Sequence, residues 1–175
     1  MRYWIIACLS WLFVLPTSAQ TRPMVYAEIT VDASVVDVWT DWTSKDGLES
    51  FFAPKAIVDL KPGGAYEIWF LPDAPEGQRG AEDGVILGLQ THKMIQYTWA
   101  MPPYMPEIRP HMTTVQMFFE PVSDSRTRVQ LFHTGFGSGE AWDKGRDYFA
   151  KSWPAVMDLY AAHKAPKDMP QTDNK

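Results

Sequence analysis

From Met24 to Thr134 apolar residues recur mostly at every second position, and after Gly139 they recur in steps of three and four. The first period is that of half-buried strands and the second that of an amphipathic helix. Residues 24–32 (MVYAEITVD) alternate and are rich in β-formers, which predicts a strand. Asp32-Ala33-Ser34 offers helix caps, and Val35, Val38, Trp39 and Trp42 share one face of a short helix over 34–42. A second short helix, 46–52, carries Leu48, Phe51 and Phe52 and stops before Pro54. Strands are expected over 56–60 and 65–71, with Pro62-Gly63-Gly64 as the turn between them. Two more follow over 84–91 and 94–101, and a last hairpin over 112–122 and 126–134 turns at Ser123-Asp124-Ser125.

Two connections differ in character. Residues 72–83 (PDAPEGQRGAED) read as a polar hairpin loop, whereas 102–111 (PPYMPEIRPH) interleaves four prolines with Tyr104, Met105 and Ile108. An apolar segment that cannot join a sheet suggests a lid or a contact surface. The long helix, about 139–163, sets Trp142, Phe149, Val156 and His163 seven apart, with Arg146, Trp153 and Tyr160 four residues after the first three. Pro154 lies inside it and is expected to kink it near 150–153.

The order is strand, two short helices, about six strands and one long helix. It predicts an α+β helix-grip arrangement: a curved antiparallel sheet of about six or seven strands wrapped on the C-terminal helix. A curved sheet on a single helix leaves a gap, and such gaps hold ligands.

Strand parity nominates the side chains that face the gap. Tyr66, Ile68 and Phe70 form one set; Val85, Leu87 and Leu89 form the next, beside Ile95, Tyr97 and Trp99. The last hairpin adds Val115, Met117 and Phe119, then Val129, Leu131 and His133, and the helix adds Arg146, Phe149 and Trp153. For each apolar member, packing in the core is the ordinary reason for the periodicity. Trp69, Phe118 and Phe132 break the parity, either as surface aromatics or as residues covered by a partner. Among the polar members, Arg146 is aimed at the sheet, where its guanidinium suits a ligand carboxylate. The alternative is that it pairs with Glu140 or Asp143. His133 reads either as a base or donor toward a ligand or as a histidine satisfied within the protein.

Several local motifs resemble those of the START-like (SRPBCC, birch-pollen-allergen-like) superfamily, and most of all the domain named after the activator of the heat-shock protein 90 ATPase. They are Val38-Trp39, Phe51-Phe52-Ala53-Pro54, Leu60-Lys61-Pro62-Gly63-Gly64, Gly84-Val85-Ile86-Leu87 and Ile95-Gln96-Tyr97-Thr98-Trp99. Residues 114–121 (TVQMFFEP) and 127–136 (TRVQLFHTGF) and the helix with Trp153 complete the series, which spans about residues 25–163. The pattern often has Trp-Trp where this chain has Phe51-Phe52, and Gly-Trp where it has Ser152-Trp153. The resemblance implies a helix grip around an apolar cavity. It implies no single activity, because relatives include lipid carriers, polyketide cyclases and co-chaperones.

Composition narrows the classes. The chain has 175 residues, 46% hydrophobic and 14% aromatic, the size and make-up of one globular domain. Its net charge of −5 argues against a nucleic-acid partner. Cys8 is the single cysteine, so no disulfide forms within the chain. Arg2, the apolar run Trp4 to Leu15 and Thr17-Ser18-Ala19 form the pattern of a secretory signal peptide over 1–19, cut after Ala19. The expected divisions are that signal, a START-like domain over 20–163 and a polar tail over 164–175 that reads as disordered. The expected address is periplasmic or secreted, with no stable membrane anchor after cleavage; the oligomeric state stays open.

The histidines have no metal-ligand spacing, and no phosphate loop, dinucleotide fingerprint or nucleophile elbow occurs, so neither metal nor cofactor is expected. Three functions compete. The first is an exported carrier or sensor of a small apolar or amphipathic ligand, which the inward aromatic face favours. The second is an enzyme of polyketide cyclase or hydrolase type using His133, Arg146 and a tyrosine, although no catalytic motif supports it. The third is a co-chaperone-like interaction module, which the export signal disfavours.

Overall fold

The computed structural model describes residues 24–165. The segment over 1–19 expected to be a signal peptide lies outside the described residues, as does the tail beyond Ala165. The chain forms β1 (Val25–Val31), α1 (Val35–Thr43), α2 (Lys45–Phe51), β2 (Lys55–Val58), β3 (Tyr66–Trp69) and β4 (Gly80–Ala81). It continues with β5 (Ile86–Gln90), β6 (Met94–Trp99), β7 (Thr113–Ser123), β8 (Arg126–Thr134) and α3 (Glu140–Lys164). Ser34, offered by the sequence as a cap, does cap the first helix, and Ser44 caps the second. Ser34 Oγ accepts from the Asp37 amide at 3.2 Å, and Ser44 Oγ accepts from the Gly47 amide at 3.0 Å.

The antiparallel strands form a five-stranded sheet in the order β1-β8-β7-β6-β5 and a three-stranded sheet in the order β2-β3-β4. An isolated Ala65–Val85 bridge joins the two, flanked by Tyr66 N–H to Gly84 O and Ile86 N–H to Gly64 O, both 2.8 Å. The described residues thus hold eight strands rather than six or seven. The extra one, β4, lies inside the segment read as a polar loop, where it pairs Ala81 with Ile68. A β-carbon on Gly80 would lie 2.3 Å from the Ile68 carbonyl oxygen, so only glycine fits there.

Register aligns the core across the large sheet. Ala27 faces Leu131, Leu131 faces Met117, and Met117 faces Ile95. The next row aligns Val25, His133, Val115 and Tyr97. All of these are buried, and α3 covers them with Phe149, Trp153, Met157 and Tyr160. The helix is one element through Pro154, whose ring removes the donor that the Ala150 carbonyl would otherwise use.

Parity fails at β5. A bulge between Ile86 and Gly88 shifts the register, so Ile86 is 1% exposed while Leu87 is 47% exposed. The expectation that Leu87 faces the gap is therefore corrected: the extra residue turns its side chain to solvent. The three parity-breaking aromatics are also accounted for. Trp69 is held between the Lys55 ammonium at 4.1 Å and the Arg79 guanidinium at 3.8 Å, and its Nε1–H donates to Glu67 at 2.8 Å. On the outer sheet face Phe132 packs between Phe118, at 5.8 Å, and Tyr26, at 5.0 Å between ring centres.

Candidate functional site

Between the large sheet and α3 the gap is filled at one end and empty at the other. Trp39 and Trp42 of α1 fill the first end. Trp39 meets Phe119 edge-on at 5.5 Å, and Trp42 packs on Phe51 and Tyr160 at 5.0 and 5.2 Å. Tyr66 stacks on Tyr97 at 4.1 Å, and its hydroxyl donates to the Trp42 carbonyl at 2.9 Å. The Tyr97 hydroxyl donates to Met117 Sδ at 3.4 Å. Burial raises both phenols well above their ordinary value, so they stay neutral.

At the other end lies a cavity of about 390 Å³, within the usual range for small-molecule sites. Phe52 and Phe70 form one wall and Gly80 and Ala81 of β4 another. The end of β6 contributes Trp99, Ala100 and Met101, and the proline-rich segment adds Pro102, Pro103 and Tyr104. On α3, Phe149 and Trp153 reach in from the core stripe, while Tyr148, Ser152, Val156 and Leu159 form a second stripe beside it. Among the described residues the lining holds no ionisable side chain other than the two tyrosines.

Of the residues nominated by sequence, Phe70, Trp99, Phe149 and Trp153 meet at this cavity. Tyr66, Ile68 and Tyr97 share its side of the sheet but are sealed in the core, as are Met117, Phe119 and Leu131. The reason is the pair of tryptophans from α1, which occupies the space these strands face. Arg146 leaves the cavity set, and of its two readings the pairing with a protein carboxylate holds. It lies at the edge of the buried helix face, and its guanidinium pairs with Asp143 at 3.0 Å and Asp147 at 3.5 Å, outside the cavity lining.

His133 is fully buried and satisfied within the protein. Trp153 Nε1–H donates to its Nδ1 at 2.9 Å, and its Nε2 lies 2.7 Å from Thr113 Oγ1, which donates to the Trp99 carbonyl at 2.8 Å. An indole N–H can only donate, so Nδ1 accepts and the proton sits on Nε2. Burial lowers the imidazole pKa to about 3. The chain of bonds ties the two tryptophans of the cavity wall to one neutral ring.

The proline-rich segment is pinned at its base. Arg109 donates to the Met101 carbonyl, to Gly77 O at 3.1 Å and to Gly80 O at 2.8 Å, and it pairs with Glu82 at 3.3 Å. Glu82 is almost fully buried. Its desolvation favours the neutral acid, but bonds from the Arg79 side chain and from the Arg79 and Gly77 amides outweigh it, and the pKa is lowered. Gly145 completes the contact: a β-carbon there would stand 3.0 Å from Ile108 Cδ1, so its absence lets the segment lie close on α3. Tyr104, 66% exposed, rests edge-on against Tyr148 at 6.0 Å across the mouth.

Sequence reasoning did not nominate Tyr104, Tyr148, Ser152 or Leu159 as site residues. The available signal was an uncharged stripe at positions 148, 152, 155, 156 and 159, at helical spacing beside the core stripe. Among the described residues no cluster of His, Cys, Asp and Glu is placed to hold a metal ion. None of the described helices is long and apolar enough to cross a membrane.

The solved structures share the fold at low identity. A protein of Mesorhizobium loti is 16% identical and superposes with a TM-score of 0.66, covering 84% of this chain and 100% of its own. The Aha1 dimer from Colwellia psychrerythraea is 18% identical, with a TM-score of 0.63 over 83% of this chain and 98% of its own. An HSP90 activator from Plasmodium falciparum is 18% identical, with a TM-score of 0.57 over 75% and 89%. No curated protein matches the chain. The family model described as Activator of Hsp90 ATPase homolog 1-like protein matches residues 32–163, most of the chain, and the chain belongs to that START-like family.

Proposed function

We propose that this protein is exported and binds a small apolar or amphipathic molecule in the cavity between α3, the β6 end and the proline-rich segment. The observation that carries the reading is an apolar space of about 390 Å³ walled by aromatic rings whose polar supports are already satisfied. A domain that needed those rings only for stability would gain by closing the space, because a void forfeits packing contacts. The family includes ligand-binding and protein-interacting modules, and the cavity favours the first. Export rests on Arg2, the short apolar run and Thr17-Ser18-Ala19.

Thermal shift with a panel of apolar probes tests binding, with native mass spectrometry of protein from its own host as a second route. A ligand at 100 times its dissociation constant raises stability by about 2.7 kcal/mol. Val156→Trp, which fills the space, should abolish the shift. No shift with any apolar probe and no co-purifying molecule would refute the binding reading. N-terminal sequencing of the exported protein should give Gln20; an intact Met1 in the membrane fraction would refute export.

A further inference from the structure

Resting on that reading, we infer that the cavity selects a neutral, ring-shaped ligand bearing one hydrogen-bond acceptor, such as an aryl ketone, and that Tyr104 and Tyr148 donate to the acceptor at the mouth. Two independent features set the charge preference. Among the described residues the lining contains no Lys, Arg, His, Asp or Glu, so an ion inside would lose its water and gain no counter-charge. Beyond Tyr104 a neighbouring hollow of about 410 Å³ does carry charge, from Glu107, Glu140 and Lys144. There the carboxylates outnumber the ammonium, and Lys144 is already paired with Glu140 at 2.7 Å. An amphiphile long enough to place a carboxylate past Tyr104 therefore meets net negative charge.

The walls set the shape preference. Trp99 and Trp153 lie 5.1 Å apart at 54°, and Phe149 stacks on Trp153 at 6.2 Å. The bonds through His133 and Thr113 tether Trp153 and the Trp99 backbone. Aromatic surfaces held in place suit a flat ligand, whose rings take offset or edge-on positions without ordering a flexible chain. The polar groups set the third preference. Ser152 Oγ spends its proton on the Tyr148 carbonyl at 2.9 Å. Partial desolvation at the mouth, with Tyr148 beside it, raises the Tyr104 phenol above its ordinary value, so it keeps its proton. The phenols of Tyr104 and Tyr148 stand together at the mouth as donors, and they call for an acceptor.

Four probes of one shape test this: 2-acetylnaphthalene, naphthalene, 2-naphthoate and 2-naphthylmethylammonium, titrated at neutral pH against tryptophan fluorescence and checked by calorimetry. The ketone should bind at least about tenfold more tightly than either ion. Tyr104→Phe/Tyr148→Phe should weaken ketone binding by roughly two- to tenfold, the worth of neutral hydrogen bonds, and leave naphthalene unchanged. Either ion binding as tightly as the ketone overturns the inference, as does a double variant that leaves the ketone unaffected or weakens ketone and naphthalene equally. In those cases naphthalene binding still upholds the cavity as a ligand site. Failure of all four probes, naphthalene included, overturns both.

Discussion

Replacing His133 by Gln should remove a pH dependence of stability that arises from one buried ring. In the fold the imidazole is neutral, accepts from Trp153 and contacts Thr113, and its pKa lies at about 3. In the unfolded chain it titrates near 6.5. Between those values the unfolded state binds a proton that the folded state does not, so stability rises with pH and falls as pH drops through 6.5. The slope approaches about 1.4 kcal/mol per pH unit. From about pH 7.5 to about pH 5 the loss assigned to this ring is about 2 kcal/mol. Most carboxylates stay ionised in that window, so they add little. Gln offers an acceptor and a donor but no titrating group. Its variant should be about 1–2 kcal/mol less stable at neutral pH because its bonds are less well aimed, and should lack the 2 kcal/mol loss on acidification. Urea melts of both proteins across the window measure the difference, and proton NMR of the imidazole reads its titration directly. Equal pH slopes for both proteins, or an imidazole resonance titrating near 6.5 in the fold, would refute the buried neutral assignment.

Trp153→Ala should cost about 3–5 kcal/mol in urea melts, since the indole is almost fully buried and its N–H partner is left behind. Arg109→Met should cost about 2–3 kcal/mol by exposing three carbonyls and the Glu82 carboxylate to loss of a donor. It should also speed amide exchange across 102–111, and unchanged exchange there would count against the pin. Arg146→Met should change stability by less than about 1 kcal/mol, because its partners are exposed. It should leave probe affinity unaltered; a selective loss for carboxylate probes would return Arg146 to the site.

Element order was legible from the sequence because hydrophobic period and turn residues act locally. The Ser34 cap, the hairpin at 123–125 and the long helix needed no tertiary information. The site was half legible. Parity put Trp99 on the correct face, and the seven-residue repeat did the same for Phe149 and Trp153. Parity could not foresee the β5 bulge that turned Leu87 outward, since a bulge leaves no period of its own. Nor could it divide inward residues between core and cavity. That division depends on Trp39 and Trp42, which are distant in sequence and fill space beside Phe119 and Tyr66. Arg146 stayed divided between a ligand and a carboxylate because a helical repeat fixes an angle around the axis but not the reach of a long side chain; Asp143 and Asp147 on its own helix take it.

The Arg109 pin has a consequence for the timing of exchange. A wall bonded to Met101, Gly77, Gly80 and Glu82 does not swing away as a unit without breaking four contacts at once. Passage through the mouth is then left to rotations of exposed side chains, Tyr104 and Leu159 among them, on the picosecond-to-nanosecond scale rather than the microsecond-to-millisecond scale of segment opening. For a ligand of the kind proposed, arrival is then fast whenever the molecule is small enough to pass. How long it stays is set by its own contacts with the rings inside, so that affinities across a series of ligands follow their dissociation rates.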